Sequence, residues 1–228
     1  LMTLFTQAFN YAAEPFFFRH AYRSDARHIY GQVAHSFTIV GALAFLGILL
    51  YMDVIQFLLG KDLREGLDII PILLLAYLFL GLFYNFSIWY KLQDRTIVGG
   101  LIGLGGMVIT LILNAILVPQ IGIYGPAWAA LACYGFMAWL TYQSGQIHYP
   151  IDYPIYKMAL YIAVVLGGYL LSDSGKLLYG DYLLLVLGVN TLILALCLLG
   201  FYYIDRELFR KILLAFRSGL RRLHRRRT

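Results

Sequence analysis

The segment TIVGGLIGLGGMVITLILNAILVPQIGIYGPAWAALACYGFMAWLTYQSGQIHYPI, residues 96–151, contains no Asp, Glu, Lys or Arg. An uncharged run of that length cannot be one soluble core element. It has room for two membrane-crossing helices of about 20 residues each, folded back on one another. The one interruption is VPQIGIYGP, residues 118–126. Pro119 is expected to stop the first helix, Gly122 and Gly125 to free the turn, and Pro126 to open the second helix in its first turn. Gly99, Gly103 and Gly106 on one helix, and Ala132, Gly135 and Ala138 on the other, are predicted to supply small faces. Inside lipid, such faces let helices pack closely.

The rest of the chain agrees with a membrane reading. It is 61% hydrophobic and 13% charged, with a mean hydropathy of +0.73, against roughly 25% charged residues in a soluble domain. Seven apolar spans are predicted, at 1–18, 35–52, 69–90, 97–118, 124–144, 156–172 and 182–204. The fold class expected is therefore an all-α integral membrane protein. The chain begins with Leu1 and shows no signal peptide before the first span, so it is expected to be a piece of something longer.

Charge placement gives an orientation. Nine of the 18 basic residues follow Asp205. With that tail in the cytoplasm, the inner segments also hold Arg19, Arg23, Arg27, Lys91, Arg95 and Lys157. The outer loops hold only Lys61, Arg64 and Lys176. This is the pattern of membrane topology, not of a nucleic-acid face, so no nucleic-acid partner is expected. Trp89 and Tyr90, Tyr149, Tyr153 and Tyr156, and Tyr202 and Tyr203 are placed at span ends, where such rings favour the headgroup layer. The outer loop 53–68 is expected to lie in the interface. Residues 206–228 are expected to form a cytoplasmic basic amphipathic tail that meets anionic lipid headgroups.

Catalytic constellations are not found. Cys133 and Cys197 fall inside apolar runs, and the five histidines lack paired metal spacing. No Gly-rich phosphate loop follows a strand pattern, and a paired-carboxylate site is not expected. Seven spans with an outside start also describe retinal proteins, but the last span carries no lysine for a Schiff base. Neither enzyme nor cofactor is predicted. A membrane-embedded polymerase or ligase would need a larger outer loop than 53–68.

Two clusters carry candidate chemistry. Glu14 precedes Pro15 in an apolar, aromatic span, with Gln7 and Asn10 on the same face. A carboxylate there should face protein or a wet cavity. It serves either as a coupling-ion or polar-substrate site, or as an interfacial group paired with Arg19 or His20. Lys91, Asp94 and Arg95 share a short inner turn, where the cations either meet a diphosphate or set topology alone. Asn85, Asn114 and Asn190 are expected to hydrogen-bond between helices.

The runs GLFYNFSIWYKLQDRT (81–96) and LILNAILVPQIGIYGPAWAAL (111–131) resemble the polysaccharide-biosynthesis branch of the multidrug/oligosaccharidyl-lipid/polysaccharide flippase superfamily. FNYAAEPFFF (9–18) and GLDIIPILLLAY (66–77) look like the same family. The resemblance reaches to about Asp205. Its main departure is Pro126, where the family usually has Ala. It implies a MATE-like C-terminal lobe over residues 1–144 with a truncated start, and two additional transmembrane helices over 145–205. A missing N-terminal lobe of the same chain is implied as partner, so the chain alone is not expected to transport. The implied substrate is a polyprenyl-diphosphate oligosaccharide, moved across a bacterial cytoplasmic membrane for O-antigen, capsule or exopolysaccharide synthesis. Candidate lining and substrate residues are Gln7, Asn10, Glu14, Arg19, Lys91 and Arg95, with H+ or Na+ as coupling ion. A drug or cation antiporter of the same superfamily is the alternative.

Overall fold

The computed structural model describes residues 2–56, 66–179 and 183–206. Among them there is no strand. Seven long helices fall on the seven predicted segments: α1 (Met2–His20), α2 (Ala26–Leu50), α4 (Ile70–Phe86), α6 (Thr96–Ile121), α7 (Tyr124–His148), α8 (Ile155–Tyr179) and α9 (Leu183–Ile204). Two short helices, α3 (Met52–Ile55) and α5 (Ile88–Leu92), extend α2 and α4. Five stretches are long and apolar enough to cross a membrane: Ala26–Leu50, Gly66–Leu92, Thr96–Ile121, Ile155–Gly175 and Leu185–Ile204. The chain thus has the architecture of a multi-pass membrane protein. Helices α1 and α7, with 19 and 25 residues, have the length but not the apolarity. Gln7, Asn10 and Glu14 dilute α1, and glycines, glutamines and tyrosines dilute α7.

Helix α2 is the centre of the bundle. Of its span, 61% is buried, against 11% for α6. Helix α2 packs against α1, α4, α8 and α9, whereas α6 leans chiefly on α7, which in turn lies along α4. Phe37, Phe45, Leu46 and Leu50 of α2 meet Leu74, Leu78, Leu82 and Phe86 of α4 in one core. Tyr161 and Val165 of α8 and Phe201 of α9 close it from the other side. The open face of α6 presents Leu101, Leu104, Val108, Leu111 and Ile112.

The hairpin differs in detail from its sequence reading. Helix α6 runs through Pro119 and ends two residues later. There Gly122 takes φ 57° and its N–H bonds to the Val118 carbonyl at 3.0 Å. Glycine enters this left-handed conformation without the Cβ clash that other residues meet. Gly125 serves close approach instead, since a Cβ there would lie 2.8 Å from the Val118 nitrogen. The two small faces do not meet. Gly106 receives Met137 and Cys133 of α7, Gly103 has open space around it, and Ala132 is exposed. The packing is large side chain into glycine.

The span of α4 and α5 is broken at Ser87, whose hydroxyl donates to the Tyr84 carbonyl at 2.7 Å. Such back-bonding competes with the helix ladder and bends it. Of the three asparagines, one bridges helices. Asn190 of α9 accepts from the Ser172 hydroxyl of α8 and donates to the Leu50 carbonyl at the end of α2, both at 2.6 Å. Asn85 instead donates to Gly81 within its own helix at 2.9 Å. The Asn114 amide oxygen is buried and unpaired. Asn190→Leu is expected to leave a buried hydroxyl and a buried carbonyl unsatisfied, costing about 2 kcal/mol. In detergent this should read as a melting temperature lower by about 5 °C. An unchanged melting temperature would mean that Asn190 does not tie the three helices.

The interfacial assignment of Trp89 and Tyr90 is corrected. Both are buried, at 1% and 6% exposure, among α5, α6 and α7. Tyr156, Tyr202 and Tyr203 are exposed. The centre of loop 53–68 and the basic tail after Arg206 lie outside the described residues.

Candidate functional site

One end of the bundle gathers the ends of α1, α5, α7 and α9 and the starts of α2, α6 and α8. Arg19, Arg23, Arg27, Lys91, Arg95 and Lys157 are all at this end. The segment after Ser87 packs on α1, and this brings Lys91 to Glu14. Lys91 Nζ lies 3.1 Å from Glu14 Oε1. Pairing with Arg19 or His20 is not what occurs. Those residues stand five and six positions after Glu14, off the i+3 and i+4 rows that meet on a helix. His20 Nδ1 turns back to the Phe16 carbonyl at 2.8 Å. Two candidates from separate segments therefore form a single ion pair.

That pair is open to solvent on one side. The Lys91 and Glu14 side chains keep 25% and 39% of their surface. Gln7 is exposed and Asn10 half-buried along the same face of α1. The turn after Lys91 is closed by a Schellman motif. The Arg95 N–H bonds to the Tyr90 carbonyl at 2.8 Å and the Asp94 N–H to the Lys91 carbonyl at 3.5 Å, with Asp94 at φ 54°. This sharp reversal leaves Arg95 exposed.

Neighbouring cations are already engaged. Arg23 makes two bonds to Asp25, at 2.8 and 2.9 Å, which hold the Asp25 carboxyl below the usual carboxylate range. Arg27 lies over the Tyr149 ring, 4.6 Å from its centre. Arg19 is exposed and takes part in no ion pair among the described residues. Among the described residues, this end thus presents Arg19 and Arg95 outside any ion pair and Lys91 held by one carboxylate. Such a cluster can meet an anion through charge-assisted hydrogen bonds.

A second polar cluster escapes the sequence reading. Asp205, just past α9, turns its Oδ2 toward three groups. His35 Nε2 of α2 lies 3.2 Å away, Lys157 Nζ of α8 lies 3.4 Å away, and the Tyr161 hydroxyl donates from 3.5 Å. The His35 ring stacks on Tyr161 at 5.6 Å. The His35 and Asp205 side chains keep only 7% and 11% of their surface. The available signal was a histidine inside an otherwise uncharged span and a carboxylate ending the last one.

Among the described residues no group of three His, Cys, Asp or Glu is arranged to hold a metal. Compared with protein-family models, with curated proteins and with solved structures, the chain matches none of them.

Proposed function

We propose that this chain is the C-terminal portion of a flippase that moves polyprenyl-diphosphate-linked oligosaccharide across a bacterial cytoplasmic membrane. In this reading seven spans cross the bilayer. Residues 1–144 are the second lobe of a MATE-like transporter, and α8 and α9 are its two additional helices. The observation that carries the reading is the Glu14–Lys91 pair, a partly buried cation held by a displaceable carboxylate. It stands at the end where the basic residues collect. By the positive-inside rule that end is cytoplasmic, which is where the lipid-linked substrate is made available. The diphosphate takes Lys91 from Glu14, with Arg19 and Arg95 at the mouth. Gln7 and Asn10 continue the polar face toward the midplane, where alternating-access transporters hold their cargo.

The drug or cation antiporter reading would use Glu14 as the cation site, and the Lys91 ammonium already at that carboxylate opposes it. The test is the lipid content of cells deleted for the full-length gene. Accumulation of complete polyprenyl-diphosphate oligosaccharide, with surface glycan lost, is the expected result. Intact surface glycan without accumulation would end the flippase reading.

A further inference from the structure

We infer that His35, Asp205, Lys157 and Tyr161 form a proton-binding site that ties the α8–α9 pair to the central helix α2. The ligand is a proton, and its seat is the His35 imidazole. The Nε2 atom is buried and makes no directed hydrogen bond, yet Asp205 Oδ2 stands 3.2 Å from it. The carboxylate is near enough for charge pairing and is angled off the ring nitrogen. A neutral imidazole keeps one bare ring nitrogen, and the nearby carboxylate favours a proton added to the ring. When it is taken up, an N–H bond forms at the ring nitrogen that is bare in the neutral imidazole and an O–H bond of hydronium breaks, releasing water. The imidazolium is then paired in charge with the carboxylate.

The groups facing His35 decide how tightly the proton is held. Leaving water costs the charged ring; Asp205, 3.2 Å away at the end of α9, offsets that cost, and Lys157 of α8, 3.4 Å from the same oxygen, adds to it. Tyr161 of α8 stacks on the ring and donates to the same carboxylate oxygen. Lys157 keeps 44% of its side-chain surface, so the cluster is open on one side. Because Asp205 follows α9 and Lys157 lies on α8, the two helices that pack against α2, occupancy of the site sets the attraction across that junction. The inference goes beyond the transport reading and does not require it.

The test is nitrogen-detected NMR of the histidine rings of the full chain in lipid nanodiscs, from pH 5 to 8. The His35→Gln variant identifies the resonance. His35 is expected to take up one proton within that range. Asp205→Asn should weaken proton binding about tenfold, and Lys157→Gln should strengthen it by several-fold. Opposite effects from two isosteric or near-isosteric changes distinguish a proton site from a packing role, which would move neither midpoint. Circular dichroism of each variant checks that the helices are retained. A His35 ring with one protonation state throughout, or the same midpoint in Asp205→Asn as in the parent, would overturn the inference. Loss of that site would leave the Glu14–Lys91 reading standing, since the two share no residue.

Discussion

Lys91→Gln in the full-length protein is expected to lower delivery of surface glycan at least tenfold in cells that depend on it. The cation is the group positioned to meet the substrate diphosphate, and a hydrogen bond to a charged group contributes about 1.5–3 kcal/mol. Each 1.4 kcal/mol corresponds to about a factor of ten. Glu14→Gln should be milder, because it removes the resting partner of Lys91 and leaves the ammonium in place. The pair Glu14→Leu with Lys91→Leu decides between roles. Were the ion pair only a clamp between α1 and α5, an apolar pair of similar volume would restore function, since such replacements are often neutral or stabilising. With Lys91 in contact with the cargo, the double variant should stay as low as Lys91→Gln alone. An inactive Glu14→Gln beside an active Lys91→Gln would instead make the carboxylate the working group, as an antiporter requires. The pair keeps part of its surface in water, so these variants should leave melting temperature nearly unchanged. Exposed pairs contribute little to stability.

The apolar spans were legible because lipid imposes a length and a composition on any helix that crosses it. The α6–α7 reversal was legible for a similar reason, since Gly122 and Pro126 are local signals with local causes. Partner choice was not. Glu14 has charged neighbours within its own helix, and sequence proximity suggested them, but among the described residues it is one from α5 that reaches its oxygen. The His35–Asp205 cluster joins α2 to the end of α9, and nothing in either neighbourhood names the other. Composition misleads in the opposite direction at Trp89 and Tyr90. Both rings stand at the end of an apolar run, as interfacial aromatics do. They are buried because the break at Ser87 and the packing of α7 place protein, not headgroups, around them. Hydropathy leaves α1 below the level of a crossing helix, and the polar residues that lower it are the ones proposed to line the path.

Trp89→Ala is expected to be the most destabilising single truncation in the described core. The ring is 1% exposed and its Nε1–H donates to the Thr141 carbonyl at 3.1 Å. It stacks on His148 at 5.2 Å with an 11° interplanar angle. Gly145 gives it room, since a Cβ there would come within 2.9 Å of the indole. Truncating a buried Trp costs about 3–5 kcal/mol through lost burial and the cavity left behind. For a chain of this size that is roughly 10 °C in melting temperature, read at one fixed scan rate because unfolding in detergent need not be reversible. Trp89→Phe keeps most of the packing and loses the hydrogen bond, so its cost should be about 1 kcal/mol. Gly145→Val should approach the effect of Trp89→Ala from the other side, by forcing the indole out of its seat. A headgroup-layer Trp89 would behave differently. Its truncation would move the melting temperature by about 2 °C or less, and Gly145→Val would be tolerated, because a ring in the interface can shift where one wedged between α5 and α7 cannot.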